Sequence, residues 1–176
     1  MHDDVVGQLL DSAATRLAAY GYLLTGSRVA GDELVQAAIV QVSVRHRRLR
    51  EVRALEGRVR VTMRTIHLGE IRRAGSWRAL LPRFGVHGDV AEAPPGVGTP
   101  RDDVGRALAQ LSPPQRAAVV LRHVDQLEVL EIAEAMHTTE VAVSDYLSQA
   151  TATLSHSLGP IAPVADRILV VDRRVR

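Results

Sequence analysis

The sequence has no cysteine, no lysine and no asparagine, and aromatic side chains make up only 3% of its 176 residues. Without cysteine there is no disulfide framework, no thiolate nucleophile and no thiolate-ligated zinc. Arginine therefore supplies all 22 basic residues, a compositional bias from which no function is read. So few aromatics leave little on which a flipped nucleobase could stack. No apolar run approaches the roughly 20 residues that a membrane-spanning helix needs. The start, Met1-His2-Asp3-Asp4, lacks the basic segment of a signal peptide, so a cytoplasmic protein is expected. Catalytic patterns are missing too. The seven histidines are scattered, with no pair at metal-ligand spacing on one helix face. The segment Pro94-Pro95-Gly96-Val97-Gly98-Thr99-Pro100 has glycines but no following Gly-Lys-Ser/Thr, so it reads as linker and not as a phosphate loop. Neither an enzyme, a cofactor nor a metal is expected.

What is present is an apolar, charge-segregated chain. Hydrophobic residues make up 46% of it, enough for one domain or two small ones with real cores. The formal net charge is only +2. Residues 45–83 nevertheless hold twelve Arg against Glu51, Glu56 and Glu70. A block of that density suits a polyanion, the bland alternative being a solvated helix face. Between Arg122 and Arg167 the sign reverses: Asp125, Glu128, Glu131, Glu134, Glu140, Asp145 and Asp166 occur with no cation. Glu128, Glu131 and Glu134 recur every three residues, which on an amphipathic helix marks the solvated face.

The apolar residues repeat at helical spacing. Val6, Leu9, Leu10, Ala13, Leu17, Tyr20 and Leu24 define a first helix that stops near Thr25-Gly26. Leu34, Val35, Ala38, Ile39 and Val42 give a second from about Ala30, and Leu55, Val59, Met63 and Ile66 a third reaching about Ala74. Residues 85–103 are rich in Gly and Pro without period and read as a linker, with a short helix expected from Asp102-Asp103 through Ala107 and Leu108. Leu111-Ser112-Pro113-Pro114-Gln115 is then a helix start with a cap, a first-turn proline and a capping box. A helix over Leu127 to Met136 follows. The turn His137-Thr138-Thr139 leads to a helix whose stripe is Val143, Leu147, Ala150, Leu154 and Leu158. Two short helices, a tight turn and a longer helix are the pattern of a helix-turn-helix. The expected fold is all-α: a three-helix bundle over 1–84, the linker, a helix-turn-helix domain over 104–160, and an amphiphilic tail over 161–176.

The stretch from Leu111 to Leu147, "LSPPQRAAVVLRHVDQLEVLEIAEAMHTTEVAVSDYL", resembles the promoter-reading domain of the extracytoplasmic-function sigma factors of bacterial RNA polymerase. The stretch "LLTGSRVAGDELVQAAIVQV" is similar to the polymerase-binding helices of the same family. The likeness implies that Asp32, Glu33, Leu34 and Gln36, with Ile39 behind them, contact polymerase or a sigma-binding regulator. "EGRVRVTMRTIHLGEIRRAG" resembles the promoter-melting helix, which implies DNA contacts for Arg58, Arg60, Arg64, Arg72 and Arg73. Arg58 and Thr65 stand where the family usually has an aromatic and an Asn, and His137 where it favours Gly. On the third helix of the helix-turn-helix, the outward positions that carry cations in the family correspond to Ser144, Asp145, Tyr146, Gln149, Thr153 and Ser155. DNA affinity depends mainly on cations meeting phosphates. The resemblance thus implies a sigma-factor-like transcription regulator whose helix-turn-helix is poorly charged for DNA. A fully working sigma factor and an all-helical interaction module acting away from promoters are the two other readings.

Overall fold

The computed structural model describes residues 2–45, 51–80 and 100–158. The linker expected over 85–103 falls mostly outside these residues, as does the tail over 161–176. Seven helices make up the described fold, and no strand occurs among the described residues. Helix α1 runs His2–Thr25, α2 Arg28–Arg45 and α3 Val52–Leu80. Helix α3 thus continues beyond Ala74, where the apolar period ends. Helix α1 buries Leu9, Ala13, Leu17, Tyr20 and Leu24, steps of three and four that keep one face inward. Leu10, grouped with that face by spacing, is instead exposed. Against this stripe pack Leu34, Val35, Ala38 and Val42 of α2 and Leu55, Val59 and Met63 of α3. Each such large side chain contributes about 1.5–3 kcal/mol relative to leaving it in water.

The α1–α2 corner is tight for a reason visible in two glycines. A Cβ on Gly21 would lie 2.6 Å from the Gly31 carbonyl oxygen, so the two backbones touch there. Gly26 takes φ 75°, the left-handed conformation that turns the chain between the helices. Thr25 donates its hydroxyl to the Gly21 carbonyl at 2.9 Å and accepts from the Ser27 amide at 3.2 Å, which fixes the corner.

The second half comprises α4 Pro100–Ala109, α5 Pro113–His123, α6 Val129–Met136 and α7 Glu140–Leu158. The last four residues of the expected linker, 100–103, are therefore helical. At the start of α5 the Ser112 amide donates to Gln115 Oε1 at 3.1 Å, the box its sequence announces. Between α5 and α6 the chain turns through Gln126 at φ 58°, and between α6 and α7 through His137 at φ 52°. At the second turn the Thr138 amide reaches the Ala133 carbonyl at 3.0 Å, a helix stop that ordinarily employs glycine. Helices α5, α6 and α7 close over Ala117, Ala118, Leu121, Ile132, Met136 and Val143.

The two halves also share their interiors. Val120 of α5 belongs to the core of α1–α3. In return, Leu68 of α3 belongs to the helix-turn-helix core, with Ile71 packed against it. Leu23 of α1 packs on Leu108, Leu111 and Ala150.

Candidate partner and nucleic-acid interfaces

Helix α2 divides cleanly into two faces. Leu34, Val35, Ala38 and Val42 point into the core, and Ile39 is half-buried against it. The opposite face carries Val29, Asp32, Glu33, Gln36, Ala37, Val40 and Val44, all exposed. Val29, Val40 and Val44 are 70%, 64% and 63% exposed, and it is their grouping on one face, more than the exposure of any one of them, that makes the strip informative. Positions 29, 33, 36, 40 and 44 follow a helical period and make one ridge. Of the residues that resemblance assigns to partner contact, Asp32, Glu33 and Gln36 thus share an open face, while Leu34 and Ile39 support it from beneath. The three valines on that ridge are functional candidates that spacing alone does not separate from the core set.

The five arginines of α3 that the resemblance assigns to DNA fall into three groups. Arg58 is exposed and lines a shallow groove of about 180 Å³ between α2 and α3, with Gln41, Val42, Arg45, Val61, Thr62 and Thr65. Thr62 and Thr65 return their hydroxyls to the Arg58 and Val61 carbonyls, both at 2.9 Å, so neither hydroxyl proton points outward. Arg72 and Arg73 are exposed near the far end of the helix. Arg60 and Arg64 are instead turned toward the second half, where both meet Asp125, at 3.3 and 3.4 Å. The Tyr20 hydroxyl donates to the same carboxylate at 2.8 Å, and the Arg60 guanidinium lies 4.5 Å from the centre of the Tyr20 ring. Burial, reinforced by the Asp125 charge, pushes the Tyr20 phenol far above its ordinary range, so it remains a donor. The first helix also anchors α3 through Arg16, whose guanidinium grips Glu56 by two bonds of 3.0 and 2.8 Å and lowers that carboxyl.

Arg116 is the junction. Its guanidinium is buried and donates to the Leu108 carbonyl at 2.8 Å, Ala109 at 3.0 Å and Leu111 at 2.8 Å, and also to Thr25. These carbonyls lie at the C-terminal ends of α4 and α1, where unpaired acceptors and the helix dipoles favour a cation. A flat fork of five donors suits that task as an ammonium would not. In the sequence this residue is one arginine among 22; only the fold shows that it is structural. Asp125, Tyr20 and His67 are similarly unmarked in sequence, because each acts through residues tens of positions away.

The outer surface of the helix-turn-helix offers no cation of the third helix. Glu140, Val141, Ser144, Asp145, Ser148, Ala152 and Ser155 are exposed on α7. Val141 alone is 72% exposed. Gln149 is exposed and accepts from Gln115 at 2.8 Å. Tyr146 departs from the expected outward placement: it is half-buried and packs against the helix-turn-helix core, and Thr153 is half-buried as well. On α5, Arg122 is engaged by the Leu127 carbonyl at 2.9 Å and Glu128 at 2.7 Å. No group of His, Asp and Glu able to hold a metal ion occurs among the described residues. No helix among them is long and apolar enough to cross a membrane.

Residues 101–154 match the family described as Sigma-70, region 4. Among solved structures, the chain is similar to the sigma factor RpoE in its complex with the anti-sigma factor NepR, from Bartonella quintana. The superposition has a TM-score of 0.54 at 19% identity and covers 87% of this chain and 96% of that one. No curated protein matches the chain. The sigma-factor resemblance read from the sequence is borne out by the region 4 match and by the all-helical fold.

Proposed function

We propose that this chain is a sigma-factor-like transcription regulator that acts chiefly through protein contacts made by the open face of α2, a reading supported by its region 4 match and by its similarity in fold to a sigma factor. The partner is the RNA polymerase core or a regulatory protein that binds sigma factors. One observation carries the reading: Val29, Val40 and Val44 stand exposed on a ridge with Glu33 and Gln36, while the core is served by the other face of the same helix. An apolar strip rimmed by carboxylates and an amide fits a helical protein partner, since apolar groups supply affinity and polar ones fix register. The helix-turn-helix supports the same view by contrast. On its third helix Ser144, Asp145 and Gln149 present no positive charge to phosphates, and on α5 Arg122 already faces Glu128. The related sigma factor's complex with an anti-sigma factor is consistent with a regulatory protein as partner.

The test is co-purification of the full chain with core polymerase and, separately, with sigma-binding regulators. Replacing Glu33 and Gln36 by Ala together with Val40→Asp should weaken capture at least about tenfold, as loss of one contact worth ~1.4 kcal/mol would. Circular dichroism should be unchanged, because all three side chains point away from the core. Full retention of binding by the folded triple variant would remove α2 from the interface.

A further inference from the structure

Asp125 is held by three donors that belong to the other half of the molecule. Tyr20 donates to Oδ2 at 2.8 Å, Arg64 approaches Oδ2 at 3.4 Å, and Arg60 approaches Oδ1 at 3.3 Å. We propose that Tyr20, Arg60 and Arg64 form an anion site of the first half, that Asp125 fills it in place of a nucleic-acid phosphate, and that the docked helix-turn-helix thereby keeps these arginines from nucleic acid. The proposal does not depend on the α2 contact.

The donor set suits a phosphate. Two guanidinium groups and one phenol provide directional donors for several oxygens, and the Tyr20 ring beneath Arg60 holds that guanidinium in place. The occupant arrives from outside the site, on the turn between α5 and α6. There the Asp125 amide reaches the Val120 carbonyl at 3.2 Å and Gln126 is in the left-handed conformation. That backbone aims the carboxylate across the boundary between the halves.

The geometry is also that of a displaceable occupant. Both arginine contacts exceed the roughly 2.7–2.9 Å of a strong charge-assisted bond. The Arg60 and Arg64 side chains are 38% and 24% exposed against 12% for Asp125, so solvent reaches the arginines while the carboxylate is largely covered. Ion pairs whose cations are this open to water are weak ones. A polyanion with several phosphates along one strand would compete well against one carboxylate. The block of arginine in residues 45–83, with Arg58, Arg72 and Arg73 exposed, would engage neighbouring phosphates at the same time.

The experiment uses the full chain and a mixed-sequence duplex DNA as probe, titrated at low and at physiological salt. Asp125→Asn keeps the shape of the turn and removes the charge. It should bind on the order of tenfold tighter, the gain expected if the clasped form holds about nine-tenths of the molecules. Its logarithmic salt dependence should steepen by about 2, one phosphate for each arginine released. Adding Arg60→Ala and Arg64→Ala to Asp125→Asn should abolish the gain. Glu134→Gln, which removes an equal charge from the exposed side of α6, should give no comparable gain. Asp125→Ser removes the carboxylate while leaving all three donors in place and should produce a gain of the same sign, which provides a second reading should Asp125→Asn fold poorly. Unchanged affinity in whichever of these two variants folds would overturn the proposal. So would a gain that survives loss of both arginines, or one matched by Glu134→Gln, since either would reduce the effect to overall charge.

Discussion

His67 lies on α3 with both ring nitrogens buried and no well-formed hydrogen bond, the Leu24 backbone being near it but outside good geometry. The nearest carboxylate oxygen, on Glu70, is 3.8 Å from Nδ1, too far for a hydrogen bond. Burial, helped by the neighbouring Arg116 guanidinium and opposed by the Leu24 backbone, lowers its pKa to about 4. The imidazole is therefore neutral in the folded chain at neutral pH, and the unfolded chain binds the proton first. Stability should be unaffected by this group above pH ~6.5, fall as pH drops toward about 4, and level off below. The whole loss attributable to it is about 3 kcal/mol. His123, lowered by burial and by Arg122, adds a contribution of the same sign. His67→Met should flatten most of the denaturation slope between roughly pH 6.5 and 5, where exposed carboxyl groups are still ionised. An unaltered slope in that variant would place the acid sensitivity elsewhere. No pattern in the sequence marks His67, because its environment is assembled by α1, α3 and α5 together.

Helix α7 tests whether the helix-turn-helix has kept its scaffold and lost only its charge. Ser144, Ser148 and Ala152 are exposed and follow steps of four, so they form one outward row. Converting all three to Arg should leave the core intact and give the full chain DNA binding with a salt slope steeper by about 2.7. Tyr146→Arg should instead destabilise the fold, since that ring packs against the helix-turn-helix core. Mobility-shift titration at two salt concentrations checks the first outcome and chemical denaturation the second; no gain in the triple variant would show that the scaffold itself no longer fits a groove. The contrast also shows what the sequence could reveal. Period and caps placed α1, α2, α5, α6 and α7 within a few residues, because one-sided burial writes itself into spacing. The same rule misplaced Leu10, which follows the period yet is exposed. Outwardness on α7 was harder to read. Tyr146 lies beside Asp145, and only the partner helices decide which of two adjacent positions faces in.

At the scale of the whole molecule the halves are joined by more than the charges at Asp125. Val120 is buried among α1–α3, Leu68 among α5–α7, and Leu23 beside Leu108 and Ala150. The apolar periods of the sequence do not announce this mutual burial, since it depends on contacts across tens of residues. Arg116 ties the arrangement together by satisfying carbonyls of α4 and, through Thr25, of α1. Gly26 is packed so closely on this guanidinium that a Cβ there would clash with it. A helix-turn-helix fragment cut from the chain would lose Leu68 and Thr25 and expose Val120, so measurements on it would mix unfolding with loss of function. The intact chain should unfold in one transition, with amide protection of α2 and α7 lost together and calorimetric and van't Hoff enthalpies equal. Arg116→Met leaves buried carbonyls without a donor and should lower the stability of both helices in step, by about 3 kcal/mol. Earlier loss of α7 alone, in the wild type or in that variant, would mean that the shared interior is too weak to couple the halves.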